Sequence, residues 1–143
     1  MKDPKRRIGA IALVKRISEL ECDKYKASLG RLQARLQEIE DEVAALNGLR
    51  DSEGRISSPD SAPYLAGFLT SIESRKRFLA QEAEAHRASI EDLMDRLQAA
   101  FLEVKTAEAA IRSASHQLQT EEKRREQGEI EEVAKTIFLR QQS

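Results

Sequence analysis

Few side chains in this sequence could make or break bonds, and their spacing keeps them apart. His86 and His116 are thirty residues apart in a stretch without a helix breaker, too far to share a metal ion or relay a proton. Cys22 is the single cysteine. No internal disulfide can form, and no C-x-x-C pair exists. There is no G-x-x-x-x-G-K-[ST] loop to cradle phosphates and no G-x-S-x-G elbow to present a nucleophile. Asp and Glu number 25, but they fall on the polar positions of repeating patterns, where water keeps them ionised. The sequence predicts no enzyme, no cofactor and no metal.

The elements that carry these residues follow from composition and punctuation. Of 143 residues only 4% are aromatic, with no Trp, while 34% are charged. A compact globule uses bulky rings to fill its core. A two-helix rod buries one narrow seam and needs few of them. Asp3 followed by Pro4 is a helix start. Pro59 and Pro63 bracket a polar stretch in which Gly54 can end one helix and Asp60 or Ser61 can cap another. The expected order is one domain over 1–143: a helix over about 4–53, a connector over about 54–62 and a helix over about 63–140. No secretory leader and no transmembrane span is read at the basic start, Lys2 to Arg7.

Both helices carry a 3-4 apolar seam. In the first it runs Cys22, Tyr25, Leu29, Leu32, Leu36, Ile39, Val43, Leu46. It extends back to Ile11 and Ile8, with Lys15 and Ser18 as polar exceptions. In the second it runs Leu69, Ile72, Lys76, Leu79, Ala83, His86, Ile90, Leu93, Leu97, Ala100, Val104, Ala107, Ile111, Ala114, Leu118. Regularity over about seven heptads marks a coiled coil, since a globular helix drifts at period 3.6. The fold class predicted is all-α, a long antiparallel two-helix hairpin with unequal arms. A turn near Ser57 places Leu46 near Ile72 and Leu29 near His86 or Ile90. Met1 then falls opposite residue 113, leaving about thirty residues, roughly 45 Å, as an overhang. His86 reads as a polar seam residue that fixes register, with a pH-sensitive joint as the alternative.

The seam leaves apolar groups unclaimed. Leu13, Val14, Ile17 and Leu20 form a second stripe near the start, and one partner helix cannot cover both stripes. Near the end, Gln119 to Glu129 contains no apolar residue. Ile130, Val133, Ile137 and Phe138 then make a new short face. Beside the connector, Leu49, Tyr64, Leu65, Phe68 and Phe78 exceed what the seam can bury. Each patch reads either as closer folding, a cap or dimerisation, or as a docking surface for another protein. The net charge of −1 gives no field for nucleic acid, and no aromatic platform interleaves the basic groups.

Two local stretches resemble a known family. Ile56-Ser57-Ser58 leading to Tyr64-Leu65-Ala66-Gly67-Phe68-Leu69 is similar to the connector of FliJ and its SctO (YscO-type) counterparts. Arg125-Glu126-Gln127-Gly128-Glu129-Ile130-Glu131-Glu132-Val133-Ala134 resembles the arginine and acidic pattern near that family's C-terminus. The resemblance covers essentially the whole chain. It implies a stalk shaped like the shaft of a rotary ATPase, inserted in a hexameric export ATPase and linking it to an export gate protein, with export chaperones as further partners. It implies an ATPase end around Ile8, Ile11, Leu13, Ile17, Arg124, Arg125, Ile130, Val133, Ile137 and Phe138. Tyr64, Phe68 and Ile72 would meet the gate. The place implied is cytoplasmic, peripheral to the inner-membrane export apparatus and touching the membrane only through the gate. The free chain is expected to be a monomer. The rival readings are a homo-oligomeric coiled-coil scaffold and a chaperone-escort or holdase protein.

Overall fold

The computed structural model describes residues 3–53 and 62–142. All of these except Asp3 lie in two helices, α1 (Pro4–Glu53) and α2 (Ala62–Gln142). The fold is all-α, with the two helices packed against each other as a hairpin. The described residues contain no strand. Most of the connector read at 54–62, with Gly54, Pro59 and the candidate caps Asp60 and Ser61, lies outside the described residues.

Asp3 starts α1 as its type predicts. Its Oδ1 accepts from the backbone N–H of Lys5 at 3.1 Å and of Arg6 at 3.4 Å, and its carbonyl accepts from the N–H of Arg7 at 3.1 Å. The first-turn N–H groups of a helix lack partners within it, so these bonds remove a real cost. Pro4 sits in the first helical position, where its missing N–H costs nothing. α2 continues unbroken through Gly128 to Gln142. No helix among the described residues is long and apolar enough to cross a membrane.

Contacts divide the chain into two units, residues 1–21 with 100–143, and residues 22–99. In the unit of 22–99 the helices are antiparallel. Arg35 pairs with Glu82, Glu42 with Arg75, and Arg50 with Glu73. Leu79, fully buried at 0% exposure, packs with Ile39 and Ala83, and Leu36, Val43 and Leu46 close around them. Leu29, Leu32, Leu69, His86, Ile90, Leu93 and Leu97 are half-buried. This is the dry centre that apolar side chains at 3-4 spacing must form when two helices meet.

The unit of 1–21 and 100–143 is built on smaller groups. Its buried side chains are Ser18, Ala100, Val104, Ala107 and Ala114, with Ile8, Ile11, Ile111 and Leu118 half-buried beside them. Lys15 faces Glu108 at 3.8 Å, and the Ser18 hydroxyl donates to Glu103 at 2.9 Å. This register differs from the one expected from a turn at Ser57, which put Met1 opposite residue 113. The side-chain pairs carry the pairing further, and the last half-buried residue of α2 is Thr120. Seam packing sets the register, and the midpoint of a polar stretch does not. Residues 121–142 are exposed on every side.

Candidate protein-binding surfaces

In the unit of 1–21 and 100–143 the usual distribution of side chains is inverted. The fully buried positions hold Ser18, three alanines and Val104, while Leu13, Val14, Ile17 and Leu20 of α1 and Phe101 and Leu102 of α2 are exposed, Leu13 being 63% exposed. A lone large apolar residue on a surface means little, but a contiguous set does. The two faces of the helix pair also differ. Lys15, Glu108 and Lys105 make a charged cluster on one, with Glu108 contacted by both lysines. On the other, Ile11, Val14, Leu102, Thr106 and Ala110 line a groove of 390 Å³. Lys105 Nζ lies 5.2 Å from the Phe101 ring centre, an attraction that leaves the ring exposed.

The residues read as one end group fall into three environments. Ile8 and Ile11 are half-buried and belong partly to the seam. Leu13 and Ile17 are on the surface. Arg124, Arg125, Ile130, Val133, Ile137 and Phe138 all lie on the exposed length of α2, joined by Leu139. Ile130, Val133 and Ile137 recur at 3-4 spacing, the pattern by which one helix docks on another.

In the unit of 22–99 the residues after the connector are also split. Tyr64 is 81% exposed and Phe68 half-buried, but Ile72 is only 4% exposed because its place in the 3-4 frame turns it toward α1. Ile72 supports the surface from beneath and offers no atoms to a partner. Leu49 and Phe78 are exposed nearby in sequence, and Arg75 stands 5.4 Å from the Phe78 ring centre.

The electrostatics of this unit are concentrated in two forked pairs. Arg35 Nε and Nη2 donate to the two oxygens of Glu82 at 2.6 and 3.0 Å, and its Nη1 donates to Glu38 at 3.2 Å. Arg75 donates to both oxygens of Glu42 at 2.6 and 3.1 Å. The Arg35 fork, then the hydrogen bond with His86, hold the Glu82 carboxyl down at about 2. Glu42 is lowered by Arg75, and both guanidinium groups are raised by their carboxylates. These pairs are partly exposed, so salt screens them, and their main effect is on register. His86 Nε2 lies 3.0 Å from Glu82 Oε2 on the same helix. It buttresses the carboxylate that crosses to α1. A groove of 580 Å³ is lined by Val43, Ala44, Asn47, Ala80 and Ala83 and rimmed by the charged Glu40, Lys76, Glu84 and Arg87. The buried Asn47 Oδ1 in it accepts no hydrogen bond among the described residues.

Phe101, Leu102, Met94 and Leu139 escaped the reading of the sequence. Phe101 and Leu102 follow the seam residue Ala100 directly, so both are off the 3-4 frame. Their size at off-frame positions was the available signal. Among the described residues, no three His, Cys, Asp or Glu side chains gather to hold a metal ion.

The model of the family described as the flagellar FliJ protein matches residues 9–143. The chain belongs to that family. The match takes in both stretches whose resemblance was noted, and nearly all of both helices of this FliJ-family chain. No curated protein and no solved structure matches it.

Proposed function

We propose that this chain is the non-catalytic stalk of a flagellar protein-export ATPase, working at the cytoplasmic side of the membrane. The observation that carries the reading is the inverted unit of 1–21 and 100–143. Its fully buried positions are mostly small, and large apolar groups such as Leu13, Ile17 and Leu102 are exposed, which suits a helix pair that is itself enclosed by a ring of other subunits. Leu13 and Ile17, with the exposed face Ile130, Val133, Ile137 and Phe138 and the cations Arg124 and Arg125, supply the contacts to a hexameric ATPase. Family membership supports the connection to flagellar export. Tyr64 and Phe68, held up by the buried Ile72, supply the contact to an export gate protein.

The test is hydrolysis by the cognate ATPase. Adding the intact chain raises ATP turnover, and a chain ending at Thr120 does not, although it buries the same seam. Unchanged turnover with the intact chain ends the stalk reading.

A further inference from the structure

We infer that the outer face of α1, from Arg6 to Glu21, binds a second copy of this chain, the two α1 helices lying antiparallel across a two-fold axis. This goes beyond the stalk reading; it shares the exposed Leu13 and Ile17 with that reading and adds the charges that close the two ends of the stripe. At 100° per residue, Arg6, Ala10, Leu13, Val14, Ile17 and Glu21 fall within one sector of the helix, with Leu20 at its border. The middle of this stripe is apolar and exposed. A cation closes one end and an anion the other, both exposed.

That arrangement is complementary to itself in one orientation only. With Leu13 and Val14 at the axis, an antiparallel second copy brings its Glu21 to Arg6 and its Arg6 to Glu21, and seats each Ile17 on the opposite Ala10. A parallel copy would set Arg6 on Arg6 and Glu21 on Glu21. Two-fold interfaces need such self-complementarity, residue i meeting j and j meeting i. Ala10, small and within the stripe, lets the two helices approach. Val14 also rims the groove that Leu102 and Ala110 line, so the stripe continues into a hollow that side chains of the second copy can enter.

The area sets the strength. Arg6 to Glu21 spans about 24 Å, and one helix is about 10 to 12 Å wide. The face is therefore about 250 to 300 Å² per copy, well short of the roughly 800 Å² of a stable interface. The pair is therefore weak and transient, and forms only at high protein concentration. A free chain covers its apolar stripe in this way and can still release it to a tighter partner. This departs from the expectation, drawn from the family resemblance, that the free chain is a monomer.

Sedimentation velocity of the intact chain from about 2 to about 200 µM tests the proposal. The wild type passes from monomer to dimer across this range. Val14→Glu weakens the dimer at least about tenfold, since an ionised carboxylate then lies on the axis. Arg6→Glu weakens it less, and Arg6→Glu combined with Glu21→Arg recovers the wild-type curve. All three positions are exposed, so far-ultraviolet helicity stays at the wild-type level in every variant. A wild type that stays monomeric throughout overturns the proposal, as does a dimer indifferent to Val14→Glu or a double swap that restores nothing. A monomeric wild type whose Val14→Glu variant loses ATPase stimulation assigns the face to the ATPase alone and also refutes the dimer. A wild type that dimerises but stimulates no ATPase leaves this inference standing and removes the stalk reading.

Discussion

Replacing Leu79 by Ala should damage the unit of 22–99 far more than replacing Leu13 by Ala damages the unit that holds it. Leu79 has no solvent exposure and sits among Ile39, Ala83 and the half-buried Leu36, Val43 and Leu46. The change deletes three carbons. At about 0.8 kcal/mol per buried methylene the transfer loss is about 2.4 kcal/mol. The void adds to this, because neighbours relax only in part, but a two-helix seam is narrow and can close more readily than a globular core. A total of about 3 kcal/mol results, inside the range of roughly 2.7–5 kcal/mol for such changes. At Leu13, 63% of the side chain is already in water, so about a third of the transfer term applies and no void forms, giving under about 1 kcal/mol. Thermal and urea unfolding followed by circular dichroism at 222 nm provide the assay. The Leu79→Ala midpoint should fall by on the order of 10 °C, a chain of this length losing about 2–8 °C per kcal/mol. The Leu13→Ala midpoint should move only a few degrees. Equal shifts for the two variants would refute the reasoning, because they would mean that Leu79 is not the centre of the dry seam.

Asn47→Leu should raise the unfolding midpoint by an amount corresponding to about 1 kcal/mol, since it removes a buried acceptor without a partner; a fall in stability in urea melts would show that the amide is satisfied. Acid should act on the seam through Glu82. Its carboxyl lies at about 2 in the folded chain against an ordinary value of 4.5, so the folded form holds the proton more weakly than the unfolded form does. The resulting stability is complete above the ordinary value and drains away as pH falls from about 4.5 to about 2. Glu82→Gln should flatten the dependence of the melting midpoint over that window, and an unchanged slope would deny the Arg35–Glu82 fork any part in it.

Much of the architecture was legible because a coiled coil is specified locally. The 3-4 recurrence of apolar groups from Cys22 to Leu46 and from Leu69 to Leu118 names the inward face of each helix without knowledge of its partner. The same residues are buried or half-buried in the structure. Even the polar exceptions were visible as exceptions. What they do was not, since Lys15 reaches Glu108 and Ser18 donates to Glu103 on the other helix, and sequence does not say which residue lies across.

The amino-acid order by itself determined that this chain makes two long helices, where the first begins, which stripe faces inward and that apolar groups remain beyond it. Those properties depend on neighbours three and four residues away, which the sequence displays directly. Tertiary structure decided the rest: that residues as far as Thr120 are half-buried, that Ile72 is covered while Tyr64 is not, and that Phe101 and Leu102 are exposed. The reason is that register and rotation about the helix axis are fixed by contacts between residues 23 to 93 positions apart, from Arg50–Glu73 to Lys15–Glu108. One step of register moves a side chain by 1.5 Å along the axis and 100° around it, enough to carry it from the seam to the solvent.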